Sequence, residues 1–177
     1  FEPALDYVVL KFPRWDLTKF QRVDRHLGSQ MKSVGEVMAI GRTFEEVLQK
    51  AIRMLDIGMK GVVANDLESI EDINELKYNL QNPTDLRVFR IVEAIKRGMS
   101  IDEIYQISRV DKWFLYKINN IIEIETNLKS LKLLESSDKE KYYTLKHAKR
   151  FGFSDGQIGK ILGVDSIKIR NLRKKYN

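Results

Sequence analysis

An internal repeat constrains this chain most. GMSIDEIYQISRVD, starting at Gly98, aligns without gaps to GFSDGQIGKILGVD, starting at Gly152, an offset of 54 residues. Six pairs are identical: Gly98 and Gly152, Ser100 and Ser154, Ile104 and Ile158, Ile107 and Ile161, Val110 and Val164, Asp111 and Asp165. Most have a clear physical role. The glycines can end a helix in the left-handed region without a Cβ penalty. The serines and aspartates can cap the helices that follow. The isoleucines, three residues apart, fall on one helix face. Ala94 and Ala148 also align upstream. The repeat therefore predicts a three-helix unit, long, short and long, used twice. Two copies are too few for a solenoid and predict a compact bundle of helical hairpins.

Cap signals place the helices around and within this unit. Thr43 with Glu46, Ser100 with Glu103, Ser137 with Glu140 and Ser154 with Gln157 each have capping-box spacing. After Thr43, the residues Phe44, Val47, Leu48, Ala51, Ile52 and Leu55 form one apolar stripe, with Gly58 as the expected stop. Ser69 with Asp72 predicts a short helix through Leu76 and Leu80, broken at Asn82-Pro83. A helix is expected over Asp85 to Arg97, with Leu86, Phe89, Val92 and Ile95 inward. Asp111 is expected to cap a long helix, Asp165 the last one, and a turn is expected between Asn127 and Ser137.

Before Gly58 the pattern is that of strands. YVVLK at Tyr7–Lys11 is β-branched, and Pro13 is expected to end it for want of an N–H. Met31 to Ile40 alternates in part, placing Val34, Glu36 and Met38 on one side. A carboxylate on such a face either lines a polar cavity or belongs to one wet side of a strand, and the wet side is the preferred reading. Two strands and a helix cannot bury a sizeable core alone. The first 58 residues therefore read as the edge of a larger α/β domain. The fold class expected is mainly α: a bundle on a duplicated three-helix unit, preceded by a small α/β piece.

Composition excludes several classes of function. With no cysteine and only His26 and His147, disulfides and thiolate chemistry are absent and a zinc site is not expected. No apolar run approaches the length of a membrane span, and no secretory signal is visible. No glycine-rich phosphate loop, GxSxG or HExxH occurs, and most acids sit at helix starts, where the dipole accounts for them. No catalytic, cofactor or metal ligand is assigned, and a free-standing enzyme is not expected.

The chain carries a net charge of +6, concentrated between Ser137 and Asn177, where eleven basic residues face four acidic ones. The second repeat, ending in a helix with Lys168, Arg170, Arg173, Lys174 and Lys175, has the outline of a helix-turn-helix DNA reader. Its equivalent in the first copy, DKWFLYKINNIIEIE, is aromatic and aliphatic. One architecture with two such surfaces favours packing, and a lysine-rich solvated face is preferred over nucleic acid. Within WFLY, Trp113 and Tyr116 are expected to lie near one another and Phe114 to point away. Aromatics on more than one face suit a helix buried on both sides, so Trp113, Phe114 and Tyr116 are candidates for packing or subunit contact.

Several runs, in order, resemble the large chains of carbamoyl-phosphate synthases. They are FEPALDYVVLKFPRWDLTKF, GSQMKSVGEVMAIGRTFEEVLQKAIRML, VDKWFLYKINNIIEIE, KRFGFSDGQIGKILGV and IRNLRKKY. Gly61 to Asn82 resembles the family least. The resemblance implies that residues 1–58 are the C-terminal edge of the carboxy-phosphate ATP-grasp domain, and that 59–177 are the helical oligomerisation domain. It implies a parent ATP-dependent ligase that makes carbamoyl phosphate from bicarbonate, ammonia or glutamine, and two ATP, for arginine or pyrimidine synthesis or the urea cycle. The family's Glu-x-Asn-Pro-Arg run of ATP and magnesium ligands is not in this sequence, and Asn82-Pro83 lacks its Glu and Arg. ATP, magnesium and potassium are therefore expected in the parent and no cofactor in this piece, which is expected to be inactive alone. Glu36 and Met38 become candidates for the wall of the family's interior tunnel. Expected partners are the rest of the large chain, a glutaminase small chain or domain, and further copies, with neither membrane nor nucleic acid. The expected compartment is the cytoplasm, or the mitochondrion for a urea-cycle type.

Overall fold

A computed structural model describes residues 6–19, 22–130 and 135–176, apart from the side chain of Thr18. Two antiparallel strands, β1 (Val8–Arg14) and β2 (Gly35–Gly41), precede eight helices among the described residues. These are α1 (Phe44–Met54), α2 (Ile73–Gln81), α3 (Arg87–Lys96), α4 (Ile101–Ser108), α5 (Lys112–Ser130), α6 (Asp138–Arg150), α7 (Asp155–Leu162) and α8 (Ser166–Lys175). The fold is mainly helical, as the sequence predicts. The turn expected between Asn127 and Ser137 lies partly outside the described residues.

The repeat is present in the backbone. α4 and α7 occupy equivalent positions at the repeat offset, and Ser100 and Ser154 cap them by accepting from the Glu103 and Gln157 N–H groups. The loops before them have the same hydrogen bonds. Gly98 (φ 84°) and Gly152 (φ 83°) are left-handed. Met99 N–H donates to Ala94 C=O and Phe153 N–H to Ala148 C=O, both at 3.1 Å. This pairing of the residue after the glycine with the third-last helical carbonyl is a Schellman ending, which needs the positive φ that glycine supplies. Ala94 and Ala148 are fully buried, as are Ile104 and Ile158.

One continuous core joins the helices. It includes Ile52 from α1, Leu76 and Leu80 from α2, Phe89 from α3, Leu115, Ile121 and Leu128 from α5, Phe153 and Ile158 around α7, and Ile169 from α8. α5 is the central helix and packs against α1, α3, α4 and α7. Each fully buried aliphatic side chain contributes roughly 1.5–3 kcal/mol of transfer free energy. A smaller cluster of Ala39, Val47 and Ala51 lies beneath the sheet.

Tertiary contacts moved several expected boundaries. β1 runs through Pro13, which stands opposite Glu36. In a two-stranded sheet β1 is an edge strand, where proline is tolerated. α1 ends at Met54, and the left-handed turn comes at Asp56 (φ 51°), before Gly58. α2 begins at Ile73 with Asp72 as its cap, so Ser69 does not start it. Residues 69–71 are instead held by α3: Ile70 N–H donates to Glu93 at 2.7 Å, and Arg97 reaches the carbonyls of Ile70 and Glu71. α3 begins at Arg87 because Asp85 is taken by a bidentate pair with Arg25. The boxes at Ser137 and Ser154 are complete, whereas those at Thr43 and Ser100 are half formed. Glu46 accepts from Arg42 N–H and Lys50, and Glu103 pairs with Lys77.

Candidate functional site

The sheet presents two different faces. Val8, Leu10, Phe12 and Val37 pack towards α1. On the other face, Val9, Lys11 and Pro13 stand opposite Ile40, Met38 and Glu36. Glu36 and Met38 therefore share a side, as alternation predicts. In this chain it is an open side: Val9, Met38 and Ile40 are exposed, and Glu36 pairs with Lys11 at 2.6 Å with both side chains more than half exposed. An ion pair that wet is worth at most about 1 kcal/mol. Met54 and the polar chains of Lys50 and Arg53 border the same strip beside β2.

The aromatic residues at the start of α5 form a second exposed group. Phe44 is the centre: its ring lies 5.4 Å from Trp113 and 5.2 Å from Phe114, and those two rings meet edge-on at 5.0 Å. Phe114 therefore does not point away from Trp113. Both rings turn towards Phe44, which covers this corner from α1. Lys117 lies over the Trp113 ring, while Leu115 between them is fully buried. Trp113 (51 %), Phe114 (41 %) and Tyr116 (55 %) remain exposed, so α5 is enclosed along its middle and open at its aromatic start.

Between the sheet-bearing helix and the second repeat lies a buried polar joint that the sequence reading did not identify. Gln49 Oε1 accepts from Val62 N–H at 2.7 Å and from Gln157 Nε2 at 3.0 Å. Gln157 Nε2 also reaches Val63 C=O, and both glutamines are fully buried. Gly61 lies against them, and a Cβ there would come 2.2 Å from Gln157 Nε2. Arg53 donates to Gly152 C=O at 2.8 Å. The buried carboxylate of Glu45 is met by Asn120 at 2.8 Å and Lys117 at 3.4 Å, tying α1 to α5. The one available signal was comparative: Gln157 aligns with Glu103, and a neutral amide replaces a carboxylate where burial would penalise charge.

The basic end of the chain is partly neutralised from within. Asp155 bridges Lys149 at 3.0 Å and Arg173 at 3.1 Å, and Asp138 takes Lys175 and the Tyr176 hydroxyl. Burial pushes the Asp155 carboxyl up, but hydrogen bonds from Arg173 and Lys149 outweigh it and hold the group below its ordinary value. A depressed carboxylate stabilises the fold above its unfolded pKa of about 3.9, and that contribution is lost as pH falls through the lower folded value. Acid unfolding followed by circular dichroism should therefore show a shallower decline of stability below pH 4 in Asp155→Asn than in the parent chain. Parallel acid limbs in the two proteins would refute this role.

Among the described residues no three His, Asp or Glu side chains converge on a point that could hold a metal ion, and no helix is long and apolar enough to cross a membrane. The profile described as carbamoyl-phosphate synthetase large chain, oligomerisation domain, matches residues 36–177. The N-terminal section of the carbamoyl phosphate synthase large chain of Methanopyrus kandleri is 49% identical, over 98% of this chain and 32% of that protein. The multifunctional protein URA2 of Saccharomyces cerevisiae is 46% identical, over 99% of this chain and 8% of its own length. The mitochondrial carbamoyl-phosphate synthase [ammonia] of Homo sapiens is 47% identical, over 100% of this chain and 12% of its own. The chain thus spans a third or less of the relatives it matches. None of these similarities supports the nucleic-acid reading. The duplicated helical unit, the residues that cap it and the agreement along nearly the whole chain show that this protein belongs to the family of carbamoyl-phosphate synthetase large chains and carries its oligomerisation domain.

Proposed function

We propose that the chain is a scaffold within an ATP-dependent ligase that makes carbamoyl phosphate from bicarbonate, ammonia or glutamine, and two ATP. In this reading residues 1–58 are the C-terminal edge of the carboxy-phosphate ATP-grasp domain and residues 59–177 form the helical oligomerisation domain. The observation that carries it is the pair of open apolar surfaces at opposite purposes: the outer sheet face around Met38 and Ile40, and the aromatic group at Trp113. The first is a sheet face with no covering layer among the described residues, suited to the remainder of an α/β domain. The second has the aromatic composition of an interface centre. The buried glutamine joint supports a rigid connection between them.

Glu36 and Met38 serve in this reading as tunnel wall once the sheet face is covered, and Trp113, Phe114 and Tyr116 as subunit contacts. ATP, magnesium and potassium belong to the parent, together with a glutaminase chain or domain. The compartment is the cytoplasm, or the mitochondrion for a urea-cycle type.

Two measurements test the reading. The isolated chain should show no bicarbonate-dependent ATPase, and measurable turnover would overturn the scaffold role. In sedimentation equilibrium the chain should self-associate, and Trp113→Ala with Phe114→Ala should weaken dimerisation at least tenfold, consistent with the ≥ ~2 kcal/mol typical of interface anchors. A strict monomer at high concentration would count against the aromatic contact.

A further inference from the structure

The repeat provides an internal control for a groove that the scaffold reading does not use. In the first copy α3 lies directly against α5. In the second copy the equivalent helices, α6 and α8, do not approach each other as closely and leave a groove of about 400 Å³ floored by Leu145. The repeat offset pairs the groove positions with their closed counterparts. Val88 becomes Tyr142, Val92 becomes Lys146, Ile95 becomes Lys149 and Ile122 becomes Tyr176, while Asn119 becomes Arg173 and Lys96 becomes Arg150. Four apolar packing positions have thus become two phenols and two ammonium groups on the same scaffold.

We propose that the groove between α6 and α8 binds a phosphate-bearing ring compound of mononucleotide size. Its volume is in the range of small-molecule sites, about 300–1,000 Å³. Four cationic side chains converge there, and the carboxylates nearby are already engaged. Asp155 is shared by Lys149 and Arg173, and Asp138 by Lys175 and the Tyr176 hydroxyl. Among the described residues Lys146 and Arg150 have no carboxylate partner, and the buried Nε of Arg173 has no hydrogen-bond partner. The negative end of the α6 dipole accounts for a cation in its last turn. It does not account for Lys146, which precedes that turn and stands where the other copy has Val92. Guanidinium and ammonium groups satisfy phosphate oxygens, while the rings of Tyr142 and Tyr176, over which Lys146 and Lys175 lie at 4.8 and 5.3 Å, line the groove with aromatic surface.

Titration calorimetry of this chain with AMP, adenosine and inorganic phosphate tests the site. AMP should bind saturably at one site, and adenosine at least tenfold more weakly. Lys146→Val with Arg150→Gln should weaken AMP at least tenfold. Lys168→Gln with Lys174→Gln, which removes the same charge from exposed positions outside the groove, should stay within twofold. If the first variant melts lower than the parent, the exposed Lys146→Gln alone carries the comparison. Absence of saturable AMP binding, or equal losses in both variants, would overturn the proposal. So would a bound octaglutamate peptide that AMP fails to displace, since the groove would then serve an acidic partner. None of these failures would touch the scaffold reading, whose tests are self-association and lack of turnover.

Discussion

Replacing Phe153 with alanine is expected to lower the melting temperature by about 6–20 °C. Phe153 is 1 % exposed and is the largest fully buried side chain among the described residues. Removing such a phenyl ring costs about 3–5 kcal/mol, because the lost transfer free energy is joined by that of a cavity the core cannot close. For a domain of this size each kcal/mol corresponds to about 2–4 °C. The site should collapse poorly. Phe153 follows the left-handed Gly152, whose Cα lies so close to α1 that a Cβ would come 2.9 Å from Glu46 C=O. Backbone docked that tightly cannot move in to fill a void. At the equivalent position of the first copy, Met99 is 9 % exposed and Gly98 has open space around it. Met99→Ala should therefore cost less than Phe153→Ala. Thermal unfolding of both variants decides the matter, and a loss below 2 °C for Phe153→Ala would show that the second copy is not anchored through this loop.

The second large effect is expected at the glutamine joint. Gln157→Leu keeps most of the volume but strands Val63 C=O and removes one of the two donors to Gln49 Oε1. Each buried polar group left unpaired costs about 1–3 kcal/mol, so a total of about 2–4 kcal/mol is expected. Gln49→Leu should cost less, because Val62 N–H loses its acceptor but the buried Gln49 Nε2, which has no hydrogen-bond partner, is removed as well. The double variant should be less destabilised than the sum of the two, since each single variant loses the one hydrogen bond that the two amides share, and that loss is counted twice in the sum. Couplings of about 0.5–3 kcal/mol are typical of residues in one network. Denaturant unfolding of the four proteins measures this directly. Strict additivity would mean that the two amides act independently and that the joint does not bind α1 to α7.

The parts of the fold legible in advance are those whose causes lie within one helical turn. Ser100, Ser154, Asp111 and Asp165 cap the helices they were expected to cap, because a side-chain oxygen two or three residues from a free N–H needs no help from the rest of the chain. Gly98 and Gly152 stop their helices for an equally local reason. Ile104 and Ile158 are buried, and Ile107 and Ile161 partly so, because the helical period places them on one face.

The misplaced elements share a different cause. Ser69 opens no helix because Arg97 and Glu93 hold the neighbouring backbone from another helix. Asp85 is occupied by Arg25, sixty residues away. Phe114 turns towards Trp113 because Phe44 covers both from α1. Much of the candidate site was hidden in the same way. Alternation placed Glu36 and Met38 on one face, and the preference for a wet side agrees with their exposure in this chain.

By itself, then, the sequence determined the duplicated helical unit, its caps and its apolar faces, together with the family. These follow from hydrogen bonds and spacings reaching at most a few residues. Only the tertiary structure decided that Gln49 and Gln157, 108 residues apart, would share one buried hydrogen bond, and that one copy of the repeat would close while the other stays open. The reason is physical: a polar side chain is tolerated inside only when a partner arrives from elsewhere in the chain, and packing alone determines which partner arrives.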